Sequence, residues 1–183
     1  DSTSSLTALS AGGALLAFAL SARMWRYIDA VRLSAIGALL GLPAFACVIF
    51  SAPLGSVLMF QTGAALIGFG GGLFSVGMLV MAMSFPNKTH SGLVLGAWGA
   101  VQGVAAGVAI AVGGLIRDVV SQLAQSGMLG ESLQSPVTGY SFVYHVEMYL
   151  LFVVLIALGP LLRRSKDIPP VMGTHFGLAE FPT

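Results

Sequence analysis

The sequence predicts an all-α membrane protein of about five transmembrane helices. Three observations carry that reading. Of 183 residues, 56% are hydrophobic and only 8% are charged, against about 25% charged in an ordinary soluble domain. The apolar residues gather in five runs, each near or above the roughly 17 residues a helix needs to cross a bilayer. The charges lie almost entirely between those runs. A soluble chain of this size must cover itself in polar groups, and this one cannot; lipid is the solvent that fits. Strands fit poorly, because the runs lack strict alternation and an open sheet edge leaves backbone groups unsatisfied in hydrocarbon.

The first span covers residues 6–22, after the opening DSTSS. That opening lacks the basic region of a signal peptide, so the sequence reads as the interior of a longer protein or as a processed one. The second span, 33–50, holds Pro43 two residues after Gly41, where a kink is expected and tolerated. It also holds Cys47, the single cysteine, which rules out an intrachain disulfide or a cysteine-based zinc site. Within an apolar run that thiol reads as a small hydrophobe. The third span, 57–83, contains Gly68, Gly70, Gly71 and Gly72, which thin the helix at mid-membrane. The fourth, 93–116, is the most glycine-rich. Gly92 and Gly96 are four apart, as are Gly99, Gly103 and Gly107, so the five line one helix face and invite close backbone approach. The fifth span is 142–162.

Beyond the fourth span, Leu115, Ile116, Val119, Val120 and Leu123 recur at helical spacing, with Arg117, Asp118, Ser121 and Gln122 opposite. The helix is expected to continue into the interface as an amphipathic turn or two, until Gly127, Gly130 and Pro136 end it. The connections set an orientation. Arg23, Arg26 and Arg32 fall in the first, Lys88 in the third, and Arg163, Arg164 and Lys166 after the fifth span. Placing those on one side puts seven of the eight basic residues there (three, one and three) and leaves Arg117 opposite. The positive-inside rule makes that side cytoplasmic. The amino terminus is then periplasmic and the carboxyl terminus cytoplasmic. Residues 1–166 form the bundle and 167–183 a loosely ordered cytoplasmic tail, broken by Pro169, Pro170 and Gly173. Trp25, Tyr27, Tyr140 and Tyr144 fall at expected interfaces as aromatic anchors.

Glu147 is the formally charged residue inside a predicted span, with His145 two positions earlier. An intramembrane ionisable group is a functional hypothesis by default. His145 has two readings: a neutral imidazole ligating the magnesium of a chlorophyll-type pigment, or a group hydrated near the interface or bonded to a neighbouring helix. Glu147 is a proton relay or a hydrogen-bond acceptor on the same terms. Two positions apart, the side chains point in quite different directions, which disfavours one ligand using both. Trp98 and Gln102 share a face of the fourth helix at i, i+4, as cavity lining or as glue between helices; Gln61 near the start of the third span has the same two readings. No phosphate-binding glycine loop precedes a lysine and no paired acids share a polar site, so no enzyme activity is expected. No catalytic residue and no metal set is assigned. A net charge of +1 gives no case for nucleic acid.

Five stretches together resemble one family: TALSAGGALLAFAL, ALIGFGGGLF, GLVLGAWGAVQGVAAGVAIAVGGLIRDVV, GYSFVYHVEMYLLF and the closing FGLAEFP. They are similar to the PucC family, which also includes LhaA, a branch of the major facilitator superfamily in phototrophic bacteria. The resemblance covers essentially the whole chain; GAWGAVQG and FGLAEFP are its most specific parts. It implies twelve helices in two halves, of which this chain matches the eighth to twelfth, in the orientation that charge indicates. It also implies a bacterial inner, intracytoplasmic photosynthetic membrane and a non-catalytic role with a light-harvesting or reaction-centre complex, as assembly factor or bound subunit. The implied partners are antenna polypeptides, the reaction centre and membrane lipid. No cofactor is required; bacteriochlorophyll and carotenoid are the candidate ligands. The alternative is the carboxyl-terminal part of a transporter for a porphyrin-like or amphipathic molecule, which needs a second half for alternating access. The family brings no residue-by-residue site assignment.

Overall fold

The computed structural model describes residues 2–24, 27–84, 91–135 and 137–165. Trp25, Arg26, Lys88, His90, Pro136 and everything from Lys166 onward, including the expected tail and its FGLAEFP motif, lie outside the described residues. Among the described residues five α-helices follow one another: α1 (Ser2–Met24), α2 (Ala30–Ser51), α3 (Val57–Met83), α4 (Ser91–Gln125) and α5 (Thr138–Ser165), with a 3-10 turn at Glu131–Leu133. All five are long and apolar enough to cross a membrane, and there is no strand among the described residues. The chain is a multi-pass membrane protein.

Helix ends follow local chemistry. The Ser56 hydroxyl accepts from the Met59 amide and caps α3. The turn before it needs a left-handed residue, supplied by Gly55 at φ 60°. After α4 the chain turns through Gly127 and Gly130, both at positive φ. The Thr138 hydroxyl then donates to the Leu133 carbonyl at 2.8 Å where α5 begins. α4 does not stop near residue 116 but runs to Gln125, about 52 Å at 1.5 Å per residue. That exceeds a hydrocarbon core of about 30 Å, so its end projects into the interface. Pro43 and Pro160 sit inside α2 and α5, and both helices continue through them.

The core is built by small residues, not large ones. α2 and α3 meet backbone to backbone. A Cβ on Gly37 would lie 2.5 Å from the Gly70 carbonyl oxygen, and one on Gly70 would lie 2.8 Å from the Gly37 carbonyl oxygen. Further along the same seam, Gly63 faces Ala44 and Val48, and Gly77 faces Ala30 and Ser34. α1 lies on another side of α3: Gly13 abuts Ala65, Gly68 abuts Ser10, and Gly72 abuts Ala14 and Ala17. Lipid tails are as apolar as Leu, so helix association rests on close van der Waals contact and hydrogen bonds, which small residues permit. Ser34 is fully buried and donates to the Ala30 carbonyl, so the seam carries no unsatisfied hydroxyl there. α5 packs on the outside of α2. Tyr144 meets Phe45 with ring centroids 6.1 Å apart, Leu151 fills the space above Gly41, and Leu158 packs on Ala35 and Ala38.

Candidate ligand and partner surface

Successive helices run antiparallel, so the starts of α1, α3 and α5 and the end of α2 meet at one membrane face. Leu6, Thr7, Ser10, Val48, Phe60, Ala64, Ile67 and Tyr144 line a hollow of about 230 Å³ there. Tyr144 thus turns inward. His145, the next residue, turns outward and is exposed. Its Nδ1 lies 2.7 Å from the Ser141 carbonyl oxygen, one turn earlier. A carbonyl only accepts, so Nδ1 carries the hydrogen, and in the neutral ring Nε2 keeps a lone pair. Glu147 is half-buried.

α4 meets α5 near the same face. The Arg117 guanidinium donates to the Tyr140 hydroxyl at 2.9 Å and stacks over its ring, 5.1 Å from the centroid. It also pairs with the adjacent Asp118 carboxylate. Gly139 makes the approach possible: a Cβ there would lie 2.6 Å from the Arg117 carbonyl oxygen and against the Ser121 hydroxyl. The continuation of α4 expected over this segment is present, since the helix runs on to Gln125. Arg117 and Ser121, from the polar side, meet α5, while Leu115 and Val119 are 65% and 48% exposed. The glycine at 139 and the tyrosine at 140 decide this, because they give the polar side a close contact and a bonding partner.

Away from that end, α4 stands apart. Every residue from 99 to 112 is exposed. Gly92, Gly96, Gly99, Gly103 and Gly107 form one stripe, and none would bring a Cβ within 4 Å of any described atom. On roughly the opposite side, Ala100, Val101, Val104, Ala105, Val108 and Val112 line an open apolar groove of about 680 Å³. The two glycine clusters read from the sequence thus separate. Gly68, Gly70 and Gly72 pack against other helices, Gly71 faces open space, and the α4 stripe touches no described helix.

The four candidate pigment-contact residues do not form one site. The contacts Arg117 to Tyr140, Ser121 to Gly139 and Gly113 to Val143 fix the antiparallel register of α4 and α5. His145 is then level with about position 112 of α4. Gln102 lies ten residues, or about 15 Å, further along the axis, and Trp98 further still. The Arg117–Tyr140 pair was not legible in the sequence, since only the helix register joins residues 23 apart. Among the described residues no group of three metal-ligating side chains comes together.

Comparison with known proteins gives this arrangement a family. The chain is 46% identical over 185 residues to an uncharacterized protein in the puhA-bchM intergenic region of Rhodobacter capsulatus, covering 99% of this chain and 39% of that protein. It is 41% identical over 164 residues to Protein PucC of Cereibacter sphaeroides, covering 89% of this chain and 35% of that one. Protein PucC of Rhodovulum sulfidophilum is 49% identical over 119 residues, 64% of this chain. The chain therefore spans less than two fifths of the length of these relatives. No solved structure matches. The family described as PUCC protein matches residues 1–166, across all five helices, and the chain belongs to the PucC family.

Proposed function

We propose that this protein works as a non-catalytic membrane component of a bacterial photosynthetic light-harvesting or reaction-centre complex, as assembly factor or bound subunit. The observation that carries the reading is α4. A helix destined only for lipid gains nothing from a glycine stripe, because glycine weakens the helix by about 1 kcal/mol per position relative to Ala and offers lipid little surface. Glycine stripes are useful where another backbone approaches. The five α4 glycines have no such neighbour among the described residues, so their partner is a further helix. An apolar membrane helix of an antenna or reaction-centre polypeptide is the occupant proposed for that stripe. On this reading the protein sits in the inner, intracytoplasmic membrane with its amino terminus periplasmic and its carboxyl end cytoplasmic, an orientation supported by the basic residues between the spans.

A second reading is favoured by the length of the relatives, which are more than twice as long as this chain. There the helix over α4 comes from the remainder of a longer protein with a major facilitator fold, which would move a porphyrin-like or amphipathic molecule. One experiment separates the two. A photo-crosslinking amino acid at Gly103, in the full-length protein in native photosynthetic membranes, should trap antenna or reaction-centre polypeptides. Adducts confined to the same polypeptide would favour the transporter reading. A purified native photocomplex with no trace of this protein would count heavily against the first.

A further inference from the structure

α1 packs against α3, and α5 packs against α2. The hollow of about 230 Å³ lies where these pairs meet, at the membrane face where α1, α3 and α5 begin. Five of its eight lining residues are apolar, and the other three, Thr7, Ser10 and Tyr144, carry hydroxyls. None of the eight is charged. The Ser10 hydroxyl donates to the Thr7 carbonyl at 3.0 Å, so its hydrogen is already used. The Tyr144 ring lies beside Phe45, and its hydroxyl has no hydrogen-bond partner among the described residues. Tyr144 sits six residues into α5, about 9 Å along the axis. Side chains on a helix lean toward its start, so the hydroxyl reaches back toward the membrane face. Protein interiors leave few voids larger than a water molecule, and this hollow has the volume of about eight.

We infer that the hollow is a lipid site, which holds the ester region and first methylenes of one chain of a membrane glycerolipid, with the Tyr144 hydroxyl donating to an ester carbonyl. The chemistry selects this class. A donor without a partner in a membrane calls for an acceptor, and ester carbonyls stand at the boundary between headgroups and hydrocarbon. An uncharged lining offers nothing to hold a phosphate or an ammonium group, so the headgroup stays outside. The apolar walls of Phe60, Ala64 and Ile67 suit the methylenes. The volume admits an ester and a few methylenes but not a whole lipid, so the rest of the molecule remains in the bilayer. Lipid wedged there would join α1 and α5, which otherwise meet only through α2 and α3. The site needs only the membrane fold, and it holds under either functional reading above.

The test uses the full-length protein, stripped of lipid in detergent, and two phosphatidylcholines with identical chains. One is ester-linked; the other is ether-linked and has no carbonyl. Native mass spectrometry follows the lipid retained as each is titrated. The ester lipid should bind the tightest site about two- to tenfold better, the range that one hydrogen bond spans. Tyr144→Phe keeps the ring beside Phe45 and should erase that difference by weakening the ester lipid alone. Ala64→Leu narrows the hollow and should weaken both lipids alike; Tyr144→Phe decides the matter alone where Ala64→Leu does not fold. Equal binding of the two lipids to the unaltered protein, or a preference that survives in Tyr144→Phe, would overturn the inference. A photo-crosslinking amino acid at Ile67 should capture lipid in native membranes. Capture of a polypeptide segment in its place would show that a helix fills the hollow, and would overturn the inference as well.

Discussion

At the residue scale, the pair between Arg117 and Tyr140 does the most for the least sequence signal. It joins the end of α4 to the start of α5, where α4 otherwise has few contacts. Asp118 shares the guanidinium, so the charge at the interface is balanced locally. Tyr140→Phe keeps the ring stacked under the guanidinium and removes the hydroxyl. It should lower the unfolding temperature in detergent only slightly, because both partners of the bond are exposed. Thermal unfolding of Tyr140→Phe, Arg117→Met and the double variant would check it. Additive losses would mean that the bond contributes nothing. Gly139→Val, by contrast, should displace α5 from α4 altogether, because the new side chain would collide with backbone at Arg117. A limited-proteolysis site opening between residues 126 and 137 would report that separation.

At the scale of elements, two glycine-rich helices behave oppositely, and a matched pair of substitutions exposes the difference. Gly37→Val places its side chain against the Gly70 carbonyl oxygen and the Phe74 backbone, which cannot move aside as a flexible side chain would. Overpacking of this kind costs about 1–3 kcal/mol, read as a lowered unfolding temperature. Gly103→Val meets nothing within 4 Å. It should leave the isolated protein's stability within about 0.5 kcal/mol while reducing recovery with partner polypeptides. Equal destabilisation by both would refute the distinction. The five helices themselves were legible because hydropathy and length are local: α3 runs over the residues 57–83 that its apolar run covers. Whether a glycine stripe is already filled was not legible. Gly68 and Gly103 look alike in sequence, and only the placement of α1 beside α3 tells them apart. The separation of Trp98 and Gln102 from His145 was hidden for the same reason, since it depends on the antiparallel register of two helices.

At the scale of the whole molecule, three helices form a close bundle, α5 buttresses α2, and α4 is attached mainly at one end. Membrane helices need not bury a large core, so this open arrangement is stable only in proportion to its few backbone-close seams. The alternating helices put the 52–56 turn and the 126–137 connection on one side of the membrane and the 27–29 connection on the other. The proposed orientation rests on charge: Arg23 and Arg32 flank the 27–29 connection, and Arg163 lies near the end of α5 on the same side. In a Cys47→Ala background, single cysteines at Glu131 and at Tyr27 offer a direct reading. Glu131 sits in an exposed turn and Tyr27 is 84% exposed, so both should react freely once reached. An impermeant maleimide added to intact spheroplasts should label Glu131→Cys and spare Tyr27→Cys; inside-out vesicles should give the converse. The reverse pattern would invert the topology and place His145 near the cytoplasmic leaflet. Partners approaching from the periplasmic half of the membrane could then no longer be the ones that meet it.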